Sequence, residues 1–143
     1  MSHVVDHLVS AMNARDLTAT MRCYSPQAVV VGPELQAEGP EEIAACHMHL
    51  FEGFPALRMT VWEKVVCGDL VMIEALASGT HGGPFLLAGG EVLQATGRAV
   101  NIRTCWVFTL ADDLIVSQRV YYDQLEVYSQ IGLRLPSTSE SFD

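Results

Sequence analysis

The sequence predicts an α+β domain in which a strongly bent, mixed or antiparallel sheet wraps around N-terminal helices to make a cone. Three observations predict it. Apolar residues recur at helical spacing up to about Gly53, they alternate in strand fashion from Leu57 onward, and at Asp123 the alternation gives way to a closing helix that ends at Gly132. The hollow of such a cone is the expected binding site.

Val5, Leu8, Val9 and Met12 follow the i, i+3, i+4, i+7 pattern and mark residues 3–13 as an amphipathic helix. A second short helix is capped by Asp16, buries Leu17 and Met21, and stops at Ser25-Pro26, ahead of a β-branched run from Ala28 to Val31. Gly39-Pro40-Glu41-Glu42 starts a third helix, with proline in the first turn and acids at the positive end of the dipole. Leu57, Met59, Val61 and Val65 then alternate with polar residues and with Trp62, which falls on the outer face and is expected to lie against another subunit. After the turn Cys67-Gly68-Asp69, one face of the next strand shrinks from Val71 and Ile73 to Ala75, Ala77 and Gly79, leaving room above it below His81. Residues 82–95 are too long for a tight hairpin and read as a flap or extended loop.

A strand from Val100 to Leu110 follows, then Asp112-Asp113 as a two-residue hairpin turn. That turn sets an expected register in which Trp106 faces Arg119, Thr104 faces Tyr121 and Ile102 faces Asp123, so these residues share the pocket face. Asn101 and Arg103 fall on the opposite face unless a bulge intervenes. Residues 1–132 make one domain, and residues 133–143 are expected to be a disordered tail.

Composition excludes several function classes. With 8 basic residues against 17 acidic and a net charge of -9, the chain would be repelled by nucleic acid and by anionic membranes. The four cysteines are dispersed without a C-x-x-C pair, no apolar run approaches spanning length, and a reduced, cytoplasmic protein is expected. No metal site is expected: His47 and His49 splay apart on a helix, and His3 and His7 lack a third ligand.

The segments N-A-R-D (13–16), Y-S-P-Q-A (24–28), G-P-E-E-I (39–43), G-T-H-G-G-P (79–84), T-G-R-A-V (96–100) and Y-Y-D-Q (121–124), in this order and spacing, resemble the SnoaL-like polyketide cyclase family of the nuclear transport factor two-like superfamily. The resemblance covers nearly the whole chain. It implies the cone fold and a cofactor-independent enzyme that closes a ring by an intramolecular aldol reaction on an aromatic or hydrophobic small molecule, with an aspartate placed as Asp123 is. On that expectation Asp123 is the acid/base, Arg119 and Tyr121 are oxyanion donors, and His81, Trp106, His47 and Thr104 contact the substrate.

Each residue also has a plainer reading. Asp123 followed by Glu126 fits a capping box, His81 fits a loop-supporting histidine, and Trp106 fits a large core residue. A non-catalytic protein that binds a hydrophobic metabolite, a dimerisation module, and an epoxide-hydrolase-like or isomerase activity are the alternatives. The expected partners are a hydrophobic small molecule and further copies of the chain, as a homodimer or larger homo-oligomer.

Overall fold

The structure, a computed structural model, describes residues 4–33, 35–87 and 89–133. Two helices, α1 (Val4–Asn13) and α2 (Leu17–Met21), precede β1 (Tyr24–Gly32), β2 (Leu35–Glu38) and the long helix α3 (Gly39–Gly53). Strands β3 (Arg58–Cys67) and β4 (Leu70–Thr80) follow, then the small strands β5 (Phe85–Leu86) and β6 (Val92–Leu93). The chain ends its described part with β7 (Ala99–Ala111), β8 (Leu114–Tyr121) and α4 (Gln124–Gln130). Six strands form one curved, open sheet in the order β2-β1-β8-β7-β4-β3, with β1 and β8 parallel and every other pair antiparallel. The α+β expectation holds, and the 82–95 segment is the flap with its own two-stranded hairpin.

One face of this sheet packs on the helices. Val5, Leu8 and Met12 of α1 and Ile43 of α3 meet Val30, Ile73, Ala75, Phe108 and Ile115 in the main core. This burial of apolar side chains, at about 1.5–3 kcal/mol for each large one, is what fixes the helices to the sheet. A second cluster lies at the other end, where Phe54, Val100, Ile102 and Ile131 are buried and Phe85, Leu93 and Tyr122 pack on them.

The N-A-R-D segment is a structural clamp. Asn13 exchanges hydrogen bonds with the backbone of Met59, 2.7 and 3.0 Å, and the Arg15 guanidinium reaches the carbonyls of Asn13, Pro55 and Leu57. Arg15 takes a positive φ of 53° to do so, and Asp16 caps α2 by accepting from Ala19 N–H. These bonds hold the α1–α2 corner on the start of β3.

The flap is seated on the end of α3 through glycine. Gly82 and Gly83 donate to the Gly53 carbonyl, and a Cβ on Gly83 would stand 1.9 Å from the Glu52 carbonyl oxygen, so no side chain fits there. His49 stacks on Phe85 at 4.7 Å and accepts from Leu86 N–H, which explains why it points away from His47.

The β7–β8 register departs from the sequence expectation. Asp112 and Asp113 do make a tight turn, both with positive φ, and Ala111 pairs with Leu114 as expected. Beyond Leu110↔Ile115, however, Thr109 pairs with Ser117, so Val116 is an extra residue in a bulge. From there every β8 side chain is on the opposite face: Trp106 opposes Val120, Val107 opposes Arg119 and Cys105 opposes Tyr121. The bulge leaves Asn101 and Arg103 exposed and turns β8 over instead. Residues beyond Leu133, where a disordered tail is expected, lie outside the described residues.

Candidate functional site

The flip of β8 redistributes the expected site residues. Arg119 and Tyr121 leave the helix-facing surface. They line a groove of about 250 Å³ together with Val31, Pro33 and Tyr122, at the end of the β1–β8 pair. Tyr121 is exposed by 55 %. Asp123 is exposed as well, and its carboxylate accepts from Leu125 N–H at 3.0 Å and Glu126 N–H at 3.2 Å. It is the N-cap of α4, and both of these bonds go to Oδ1 of a side chain that stands at the exposed surface. The expected register is therefore corrected: Arg119, Tyr121 and Asp123 do not share a face with Trp106, Thr104 and Ile102, and no ion pair joins Arg119 to Asp123 among the described residues.

The helix-facing surface of the sheet holds Thr104, Trp106 and Gln118 instead, and His47 faces them from α3, all four buried. Trp106 donates from Nε1 to the Thr104 hydroxyl, and Thr104 donates to the Ala75 carbonyl, each at 2.7 Å. Their polar atoms are thus satisfied within the sheet, and Trp106 offers a flat wall, stacked on Phe108 at 6.2 Å. It does not stack on Arg119, which sits on the other face.

A polar chain crosses from α3 to the sheet. The Tyr24 hydroxyl donates to Gln118 Oε1 at 2.6 Å and lies 3.0 Å from His47 Nε2. Having given its one proton to Gln118, Tyr24 must accept from His47, so the His47 proton is on Nε2 and the Nδ1 lone pair is bare. Nδ1 is buried and has no hydrogen-bond partner among the described residues. Burial lowers the His47 pKa from 6.5 to about 4, which keeps the ring neutral at pH 7. Burial likewise, as the largest cause, pushes the Tyr24 phenol far up, so it acts as a neutral hydrogen-bonding group. Tyr24 and Gln118 were missed by sequence reasoning. A lone Gln between Val116 and Val120 was the available signal, usable only with the bulge in place.

His81 is fully buried at the end of β4. Thr96 N–H donates to its Nδ1 at 3.2 Å and the Thr96 hydroxyl lies 2.9 Å away, while the ring packs on Phe54 at 5.5 Å. The loop-supporting reading is realised, yet Nε2 is buried and without a partner. The buried polar side chains among the described residues are Thr20, His47, His81, Thr104 and Gln118, and no carboxylate is among them.

A family model for the SnoaL-like domain matches residues 5–118. Among solved structures, a candidate SnoaL-like polyketide cyclase from Jannaschia sp. CCS1 is 29 % identical, covers 92 % of this chain and 91 % of its own, and superposes with a TM-score of 0.81. IdmH, a candidate polyketide cyclase from Streptomyces antibioticus, is 25 % identical over 91 % of this chain and 96 % of its own, with a TM-score of 0.75. An LEH-like epoxide hydrolase from M. tuberculosis, 14 % identical over 90 % of this chain and 86 % of its own with a TM-score of 0.68, shares the fold. No curated protein matches significantly. The chain belongs to the SnoaL-like domain family.

Proposed function

We propose that this chain is a cyclase-like acid–base enzyme acting on a hydrophobic, carbonyl-bearing small molecule, with His47 as the proton acceptor. The observation that carries the reading is the bare, buried Nδ1 of His47, held by a bond from Nε2–H to Tyr24. A base oriented through its other nitrogen is the arrangement that proton abstraction needs. When His47 takes a proton, the Nε2–H bond to Tyr24 strengthens, and the bond from Tyr24 to Gln118 strengthens with it.

The depressed pKa selects the substrate chemistry. An imidazole with a pKa of about 4 is wholly in its base form at pH 7 but is a weak base. It suits a carbon acid already activated on both sides, as in a 1,3-dicarbonyl, whose developing enolate would raise the imidazolium pKa by charge pairing. Trp106 and Phe108 supply a flat apolar wall for an aromatic frame. The absence of a buried carboxylate among the described residues disfavours the epoxide-hydrolase reading, which needs an Asp-Arg-Asp set facing the substrate.

The test is an absorbance time course with a tricyclic aromatic β-keto ester. Wild type forms a new ring chromophore, and His47→Gln loses turnover by roughly 100-fold or more while still binding. Equal turnover in the variant would sink the role of His47. Binding without product in both would shift the reading to a metabolite-binding protein, which the weak basicity of His47 favours.

A second copy of the chain is the proposed cover for the outer sheet face. Trp62 is the extra residue of a bulge in β3 and is exposed by 54 %. Beyond it Val65, exposed by 46 %, pairs with Met72 and does not lie, as the alternation predicts, on the face of Met59 and Val61; it shares the outer face with Glu63, Glu74, Arg103 and Arg119. A two-fold axis through the sheet could set these opposite charges against each other while burying the tryptophan.

A further inference from the structure

The two buried histidines present opposite hydrogen-bonding characters. At His47 the free nitrogen is an acceptor. At His81 the assignment is reversed, and the backbone decides it. The Thr96 N–H can only donate, so the Nδ1 of His81 must accept. The Thr96 hydroxyl agrees: its lone pair takes Arg98 N–H at 3.3 Å, leaving its proton for Nδ1 at 2.9 Å. Two donors converge on one lone pair, so the ring is neutral and its single proton is on Nε2. That N–H is buried without a partner among the described residues, and the centre of the His81 ring lies 5.5 Å from that of Phe54 and 6.3 Å from that of Phe85.

An unmatched buried donor destabilises the fold that encloses it, and here the surrounding backbone holds it firmly. His81 N–H bonds to the Arg98 carbonyl, and Gly97 N–H bonds to the His81 carbonyl, so the ring is fixed by strand pairing as well as by Thr96. The neighbouring second cluster is mostly aliphatic: Val100, Ile102 and Ile131, with Leu50, Leu57 and Leu93 against them and the rings of Tyr122 and Tyr128 beside them. A donor set rigidly in such surroundings selects a hydrophobic ligand that carries an acceptor oxygen.

We infer that His81 is a specificity-determining donor, which binds an acceptor oxygen, a carbonyl or enolate, on the hydrophobic molecule through Nε2–H. The inference rests on the reading of this domain as a site for a carbonyl-bearing small molecule, and it assigns a second polar contact, distinct from His47. A ligand with a bare lone pair at one end and a proton donor at neither would satisfy His81 and leave His47 free to act as base. Removing the oxygen from the ligand leaves the N–H unmatched.

The experiment follows the histidine ring nitrogens of the ¹⁵N-labelled chain by long-range ¹H–¹⁵N correlation, titrating with 1-tetralone and, separately, tetralin, which has the same carbon frame without oxygen. In the free protein His81 should show Nε2 as the protonated nitrogen. Saturating tetralone should move the Nε2–H proton downfield, tetralin should not, and His81→Phe should weaken tetralone roughly 3- to 10-fold while leaving tetralin unchanged. A proton found on Nδ1, or no tetralone-dependent change at His81 up to the solubility limit, overturns the inference. If His47 responds and His81 does not, the inference falls; if His81 alone responds, His81 is the donor, and the role of His47, which a ketone has no proton to engage, is decided by the turnover of His47→Gln.

Discussion

The two faces of the β7–β8 pair carry the same kinds of side chain to different ends. On the helix-facing side Gln118 is enclosed and bonded to Tyr24, and Thr104 and Trp106 satisfy each other. On the other side Arg119 and Tyr121, which by residue type alone promise more chemistry, border an open groove. The difference teaches that enclosure, not residue type, selects the working groups. A guanidinium in water is a weak electrostatic partner, whereas a neutral imidazole held in a dry core by one hydrogen bond has a defined lone pair and a shifted pKa.

The sharpest way to break this comparison is to truncate one residue on each face. Phe108→Ala, at a fully buried position, should cost about 3–5 kcal/mol in urea unfolding, and half-buried Val107→Ala on the other side about 1. Equal losses would mean that the outer face is as enclosed as the inner one. Next comes acid. Folding lowers the His47 pKa from 6.5 to about 4, so between these values the unfolded chain binds the extra proton. Stability from neutral His47 is then complete above pH 6.5 and declines as pH falls toward 4, by roughly 3 kcal/mol at most. Unfolding curves at pH 7 and 4.5 should show this decline in wild type and a flatter one in His47→Gln; parallel slopes would remove His47 from the dry interior.

Asp123 gives the smaller contrast. Asp123→Ala should cost about 1 kcal/mol through the lost cap, while Asp123→Asn, itself a good cap, should cost a few tenths and leave ligand binding unchanged. A large loss of turnover in Asp123→Asn at unchanged stability would restore the aspartate as acid/base. On the outer face, Trp62→Glu should shift sedimentation from dimer to monomer with almost no change in the thermal midpoint of the monomer; a monomeric wild type would remove the second copy from the account.

Much of the fold was legible because it depends on local signals. Asp16, Gly39-Pro40 and Asp112-Asp113 each act within a turn of the chain and sit at or next to the elements they bound, whereas the stop expected at Ser25-Pro26 lies inside β1, because α2 has already ended at Met21. The site was less legible because it depends on the phase of one strand. A bulge inserts one residue and inverts everything after it, yet alternation reads the same before and after. The phase slip did leave a trace: Ile115 and Val120 are both apolar but differ in parity, which a regular strand cannot bury on one side. The tautomers of His47 and His81 were beyond reach, since each is decided by partners far along the chain, Tyr24 in one case and Thr96 in the other.

The parallel pairing of β1 with β8 has a consequence for how the protein is made. Tyr24 and Gln118 are 94 residues apart in sequence, so β8 leaves the ribosome well after β1. Until it does, the Ala28-Val29-Val30-Val31 run of β1 has one edge open and its apolar face only partly covered. A nascent chain in that condition is a template for pairing with another, so a chaperone that shields β1 during synthesis should raise the soluble yield more than one acting after release.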